Sequence, residues 1–86
     1  MRLIISSGAQ RDMRRLSHEV AERVRAAIDS LEQDPRPRGC VLLRERRPPT
    51  WRVRVGPWRI LYQIDDEGAV LTITGVRHRA QAYRSG

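Results

Sequence analysis

The spacing of apolar positions changes along this chain. As far as Leu31 they recur every three or four residues, and from Trp51 they alternate with polar ones. The first spacing suits helices and the second suits strands with one buried face. Arg2 to Ser6 reads as a short apolar strand bounded by Ser6, Ser7 and Gly8. Ala9, Met13 and Leu16 then share one face of a short helix that Ser6 or Ser7 can cap. A second helix starts after Ser17, with Glu19 in the first turn, where the helix dipole favours an anion. Its apolar stripe is Val20, Val24, Ala27, Ile28 and Leu31, and Glu19 and Arg23 form a supporting pair on its surface. The run Asp34-Pro35-Arg36-Pro37 ends the helix, because each proline disfavours a helical conformation in the residue before it.

Beyond the prolines, Gly39 to Leu43 forms a short strand and Arg44 to Thr50 a basic loop containing Pro48 and Pro49. Trp51 to Val55 alternates strictly, Gly56-Pro57 turns the chain into Trp58 to Ile64, and Asp65 to Gly68 turns it into Val70 to Val76. Arg77 to Gly86 is expected to be a polar tail. These elements predict one α+β domain over residues 1–86: an N-terminal strand and a helical hairpin packed on a small, twisted antiparallel sheet. An even-length turn at Gly56-Pro57 opposes Val55 to Trp58, Val53 to Ile60 and Trp51 to Tyr62, giving one large apolar face for the helices. This face assignment favours core packing for both tryptophans, with base stacking as the alternative. The other face receives Arg52, Arg54 and Arg59. With Ile64 opposite Val70, Arg59 comes near Gly75, and Arg77 projects from the same side.

Charge sharpens this picture. The 86 residues carry a net charge of +7, and every basic residue is arginine. Arg36 to Arg59 holds eight arginines and one acid, Glu45; the remaining nine arginines and nine acids cancel. A coding bias accounts for arginine over lysine, but not for the acids avoiding the middle of the chain. A local excess of this kind points to a polyanion such as RNA or DNA, and arginine grips phosphate oxygens through two parallel hydrogen bonds. Arg44, Arg46 and Arg47 in the loop, with Arg79 and Arg84 in the tail, are the flanking candidates for RNA contact. A chain this short buries only about 60% of its unfolded surface, so its substrate lies on an open face rather than in a deep pocket. The single cysteine, Cys40, forms no disulfide framework, and with two distant histidines it offers no metal-ligand spacing. No cofactor is expected. No apolar run approaches the roughly 18 residues that span a bilayer, so a cytoplasmic protein is expected. His18 reads as a surface residue. His78, next to Arg77 and Arg79, is the one residue near the arginines of a type whose unperturbed pKa lies close to neutrality.

The stretch from Trp51 to Glu67 resembles the central hairpin of the RelE/ParE superfamily of bacterial type II toxins. Val76 to Arg84 is similar to its C-terminal signature, where a basic residue or histidine precedes a tyrosine by several positions. The order of elements matches over essentially the whole chain. The resemblance implies a toxin held by a cognate acidic antitoxin in a hetero-oligomer. RelE-like members cut mRNA, commonly at the ribosome, whereas ParE-like members poison DNA gyrase. Carried over by position, the RelE-type basic residues fall on Arg52 and Arg54, the transition-state arginine on Arg59, the arginine ending the last strand on Arg77, and the terminal tyrosine on Tyr83. Retention of all five implies a metal-independent endoribonuclease in which the substrate's 2′-hydroxyl attacks the adjacent phosphorus. The best-known members have lysines where this chain has Arg52 and Arg54. Arginine is too weak an acid to serve as a base, so the resemblance moves proton transfer to His78 or Tyr83. A ParE-like gyrase inhibitor and a non-catalytic nucleic-acid-binding module are the alternatives.

Overall fold

A computed structural model describes residues 1–80. Along the chain run β1 (Arg2–Ile5), α1 (Ser7–Arg14), α2 (His18–Gln33), β2 (Val41–Leu43), β3 (Thr50–Val55), β4 (Trp58–Asp65) and β5 (Val70–His78). Ser6 and Ser17 cap the two helices: their hydroxyls accept from the backbone N–H of Ala9 at 3.1 Å and of Val20 at 3.3 Å. The Glu19–Arg23 pair forms at 3.2 Å, and α2 stops at Gln33, just before the prolines. Gly56 takes a positive φ of 58°, which suits the two-residue turn between β3 and β4.

The five strands lie in the order β1-β5-β4-β3-β2. The sheet is mixed, not wholly antiparallel as expected, because β1 pairs parallel to β5. From β1 the chain crosses over one face as the helical hairpin and enters the far edge of the sheet as β2. It then returns strand by strand, and this odd number of hairpins brings β5 alongside β1 in the same direction. The core lies between helices and sheet: Ala9 from α1, Val24, Ile28 and Leu31 from α2, and Ile60, Tyr62, Leu71, Ile73 and Val76 from the strands. Each buried Val, Leu or Ile contributes about 1.5–3 kcal/mol relative to exposure. Trp51, Val53, Val55 and Trp58 pack against this core, as the alternation in the sequence predicts.

The first hairpin has the expected register, with Trp51 opposite Tyr62, Val53 opposite Ile60 and Val55 opposite Trp58. The second does not. Ile64 opposes Leu71 instead of Val70, and a β-bulge follows, since Tyr62 opposes Ile73 while Leu61 opposes Gly75. Thr74 is the extra residue, and its hydroxyl donates to the Leu61 carbonyl at 3.2 Å. Arg59 therefore faces Arg77 directly rather than Gly75. Arg77 and His78 belong to β5 and not to a tail, because the ladder with β4 continues to the pair Trp58–His78.

Tyr62, with no exposed surface, donates its hydroxyl to the Pro35 carbonyl at 2.9 Å and so ties the end of α2 to the sheet. Arg36 braces the same corner, paired with Asp66 at 2.8 Å and lying over the Trp51 ring at 5.4 Å. Burial pushes the Tyr62 phenol well above its ordinary value of 10.0. An unfolded chain releases that proton near pH 10 while the folded one retains it, so the stability this group contributes is complete below pH 10 and lost as pH rises above it. Urea melts between pH 8 and 11 should show this alkaline loss in wild type. In Tyr62→Phe it should shrink, with stability at neutral pH lower by about 1 kcal/mol for the missing hydrogen bond. An unchanged alkaline slope in the variant would assign the loss to another group.

Candidate functional site: a row of arginines across three strands

The face of the sheet turned away from the helices carries a transverse row. Arg54 on β3 opposes Arg59 on β4, and Arg59 opposes Arg77 on β5. Directly opposed residues in antiparallel strands have Cα atoms about 4.5–5.5 Å apart, so three guanidiniums rise from within roughly two strand spacings. One rung further along, Arg52 opposes Leu61, and Leu61 opposes Gly75. Arg54 and Arg77 are exposed, while Arg52 and Arg59 are half-buried. Like charges placed directly opposite one another destabilise a sheet. Arginine cannot relieve the strain by losing its proton, so the row holds a standing positive potential over one small area. A phosphodiester is of the size and charge to sit there, held by donors from several strands at once.

The β5 end of the row is built by α1. Strand β1 ends at Ile5, paired with Ile73, so it does not cover β5 beyond that point. Side chains from the N-cap and the second turn of α1 take over. The Ser6 hydroxyl donates to the Thr74 carbonyl at 3.5 Å, and the Asp12 carboxylate accepts the Val76 N–H at 2.9 Å through Oδ2. The other carboxylate oxygen, Oδ1, lies 3.7 Å from Nη1 of Arg77. Gly75 lies beneath this arrangement, with just enough space for a single methyl group. A Cβ there would meet Asp12 Oδ2 at 3.4 Å, Arg77 Nε at 3.7 Å and Leu61 Cδ1 at 3.7 Å. Asp12 was not among the residues expected from the sequence. Its signal was present but faint: it is the lone acid in a helix segment that also holds Arg11, Arg14 and Arg15.

The other expected residues are distributed as follows. His78 is not with the row: it opposes Trp58 on the helix-side face, with the two rings edge-to-face at 5.1 Å. Its Nδ1 accepts the Ala80 N–H at 3.3 Å. The expectation that it sits beside the arginines fails because alternation along β5 sends residues 77 and 78 to opposite sides. Arg44, Arg46 and Arg47 are exposed in the β2–β3 loop, beyond the edge of the row, and Arg79 is exposed just after β5. Tyr83 and Arg84 lie outside the described residues. His18 pairs with Glu22 at 3.1 Å on α2. Among the described residues no group of three or more His, Cys, Asp or Glu side chains is placed to hold a metal ion, and no helix is long and apolar enough to cross a membrane.

Two helices thus lie on one face of a five-stranded mixed sheet, with a row of arginines on the other. Residues 3–83 match the family described as ParE toxin of type II toxin-antitoxin system, parDE. The chain belongs to this RelE/ParE family of type II toxins. It is 39% identical over 77 residues to Toxin RelG of Mycobacterium tuberculosis, covering 88% of this chain and 87% of that protein. It superposes on the crystal structure of the toxin-antitoxin complex RelBE2 from the same organism with a TM-score of 0.77, at 31% identity, covering 91% of this chain and 96% of the other. The isolated Escherichia coli RelE toxin shares the fold at 20% identity, with a TM-score of 0.75 over 98% of this chain and 96% of its own.

The packing around Gly75 leads to a direct test. Gly75→Val adds an isopropyl group where a Cβ alone already touches three side chains. The variant should lose about 1–3 kcal/mol in urea unfolding, as overpacked sites do. Equal or greater stability would mean that Asp12 and Arg77 can move aside freely.

Proposed function

We propose that this toxin is an endoribonuclease that cleaves mRNA in the cytoplasm at the ribosome and is held inactive by a cognate acidic antitoxin. The observation that carries the reading is the row Arg54–Arg59–Arg77 on an open face. The reaction needs a site that favours a doubly charged phosphorane over the singly charged phosphodiester. A group of fixed guanidiniums does this, because its attraction grows as charge develops at the phosphorus. The substrate supplies its own nucleophile: its 2′-hydroxyl attacks the phosphorus, the bond to the 5′-oxygen breaks, and a 2′,3′-cyclic phosphate and a 5′-hydroxyl result. Arg59, at the centre of the row, stabilises the phosphorane with Arg77. Arg52 and Arg54 clamp neighbouring phosphate oxygens, and Arg44, Arg46, Arg47, Arg79 and Arg84 extend the attraction along the strand. Proton transfer falls to the C-terminal part of the chain, Tyr83 or His78. The contact of His78 with Trp58 on the opposite face favours Tyr83. The net charge of +7 suits an acidic antitoxin, and proteins of this fold have been seen as toxin–antitoxin complexes in Mycobacterium tuberculosis and Pyrococcus horikoshii.

The family description names ParE, which favours one second reading, inhibition of DNA gyrase. Primer extension on mRNA being translated separates the two. Wild type should produce discrete breaks ending in cyclic phosphate, and a 2′-deoxynucleotide at the break site should abolish them. Arg59→Ala and Arg77→Ala should each slow cleavage about 10²–10³-fold, the cost typical of removing one transition-state donor. Cleavage of the deoxy substrate would refute 2′-hydroxyl attack. Intact mRNA together with blocked gyrase supercoiling would establish the second reading. Arg52→Ala should instead weaken RNA binding and lower the slope of log affinity against log salt by roughly 0.7. An unchanged slope would remove Arg52 from the phosphate contacts.

A further inference from the structure

We propose that Asp12 is a positioning residue: it fixes Arg77 at the β5 end of the arginine row, and so sets the rate of RNA cleavage rather than the affinity for RNA. This inference rests on the nuclease reading above and extends it to a residue on a different element. Three arginines opposed across adjacent strands repel one another, and an end member is the one most able to swing away. Arg77 occupies that end, and half of its side chain is open to solvent (49%). With no fixed partner such a half-exposed side chain samples many positions in solvent, most of them off the place where a phosphorane must be gripped.

Asp12 limits that freedom because it is itself fixed. Its side chain is only 14% exposed, and one oxygen is committed to the Val76 N–H at 2.9 Å. The second oxygen is thereby presented at a set place, 3.7 Å from Arg77 Nη1. The arginine Nε lies over the vacant Cβ position of Gly75, flanked on that glycine by the carboxylate and by Leu61. Backbone, carboxylate and guanidinium form one linked unit: the residue before Arg77 anchors the acid that restrains Arg77. A loose ion pair on a half-exposed group contributes little to stability. Its value lies in geometry, since a displacement of about 1 Å in a catalytic group can lower a rate by as much as 10²-fold. The spacing also leaves Arg77 donors for substrate, because a pair at 3.7 Å is longer than a tight charged hydrogen bond.

Asp12 is also a negative charge beside a phosphate site, so it works against RNA binding while favouring the reactive arrangement. The two effects separate in Asp12→Asn. Its amide oxygen can still accept from Val76, so the fold should persist, which thermal unfolding checks. Binding of a single-stranded RNA should be unchanged or tighter, while single-turnover cleavage should fall about tenfold, well within the cost of a misplaced group. In an Arg77→Ala background the same substitution should have no further effect on rate, as expected when one residue acts through the other. The Arg77 Nε–H heteronuclear NOE in the free protein, recorded by ¹⁵N NMR, should drop in Asp12→Asn, and this readout does not depend on cleavage. Full cleavage rate in Asp12→Asn, an Arg77 signal that stays rigid, or an equal loss in the Arg77→Ala background would each overturn the proposal. A wild-type protein that binds RNA without cutting it would instead overturn the nuclease reading, and the catalytic part of this inference with it.

Discussion

Side chains along a strand must alternate between faces, and in β5 that rule sets two demands against each other. Leu71 and Ile73 have to point into the core, and strict alternation would send Arg77 in after them. A buried, uncompensated guanidinium would be ruinous in so small a core. The extra residue at Thr74 resolves the conflict by shifting the parity, so that Val76 points inward and Arg77 outward. The same bulge lines Arg77 up with Arg59 and frees the Val76 N–H for Asp12. One inserted residue therefore decides both that the core is apolar and that the opposite face has its third arginine.

The electrostatics of the molecule follow from this division. The helix-covered face takes nearly all the large apolar side chains, which frees the other face from any packing duty that arginine could not meet. Repulsion along the row is tolerated because its outer members reach solvent. Arg36, although part of the same basic stretch of sequence, is drawn off to Asp66 and the Trp51 ring. The charge excess visible in the sequence thus divides in space into a row on the sheet, a loop beyond it and a structural brace.

Much of this was legible in the chain. The helix caps at Ser6 and Ser17, the stop before Pro35 and the register of the first hairpin all depend on contacts a few residues apart, and local patterns record those faithfully. Arg52, Arg54 and Arg59 could be assigned to one face because a two-residue turn fixes that hairpin. The second hairpin was harder. Its turn shifts the pairing by one residue and the bulge shifts it by one more, so the two departures cancel in parity and Arg77 still faces outward, opposite a different partner. Nothing in the run from Val70 to Val76 announces a bulge, since Thr74 and Gly75 suit an ordinary strand as well. Parallel pairing of β1 with β5 and the reach of Asp12 to Val76 join residues more than sixty positions apart, which periodicity cannot see. His78 was misplaced by its neighbours: adjacency in sequence to Arg77 means the opposite face in a strand.

The early end of β1 has a consequence for assembly. Past Ile73 no strand among the described residues covers the flank of β5, yet Ser6 and Asp12 have already occupied the Thr74 carbonyl and the Val76 amide. That stretch is closed to a guest strand by two side chains instead of by a neighbour. The edge strands among the described residues that an incoming segment could extend are Val41–Leu43 on one rim and Arg2–Ile5 on the other, only three and four residues long.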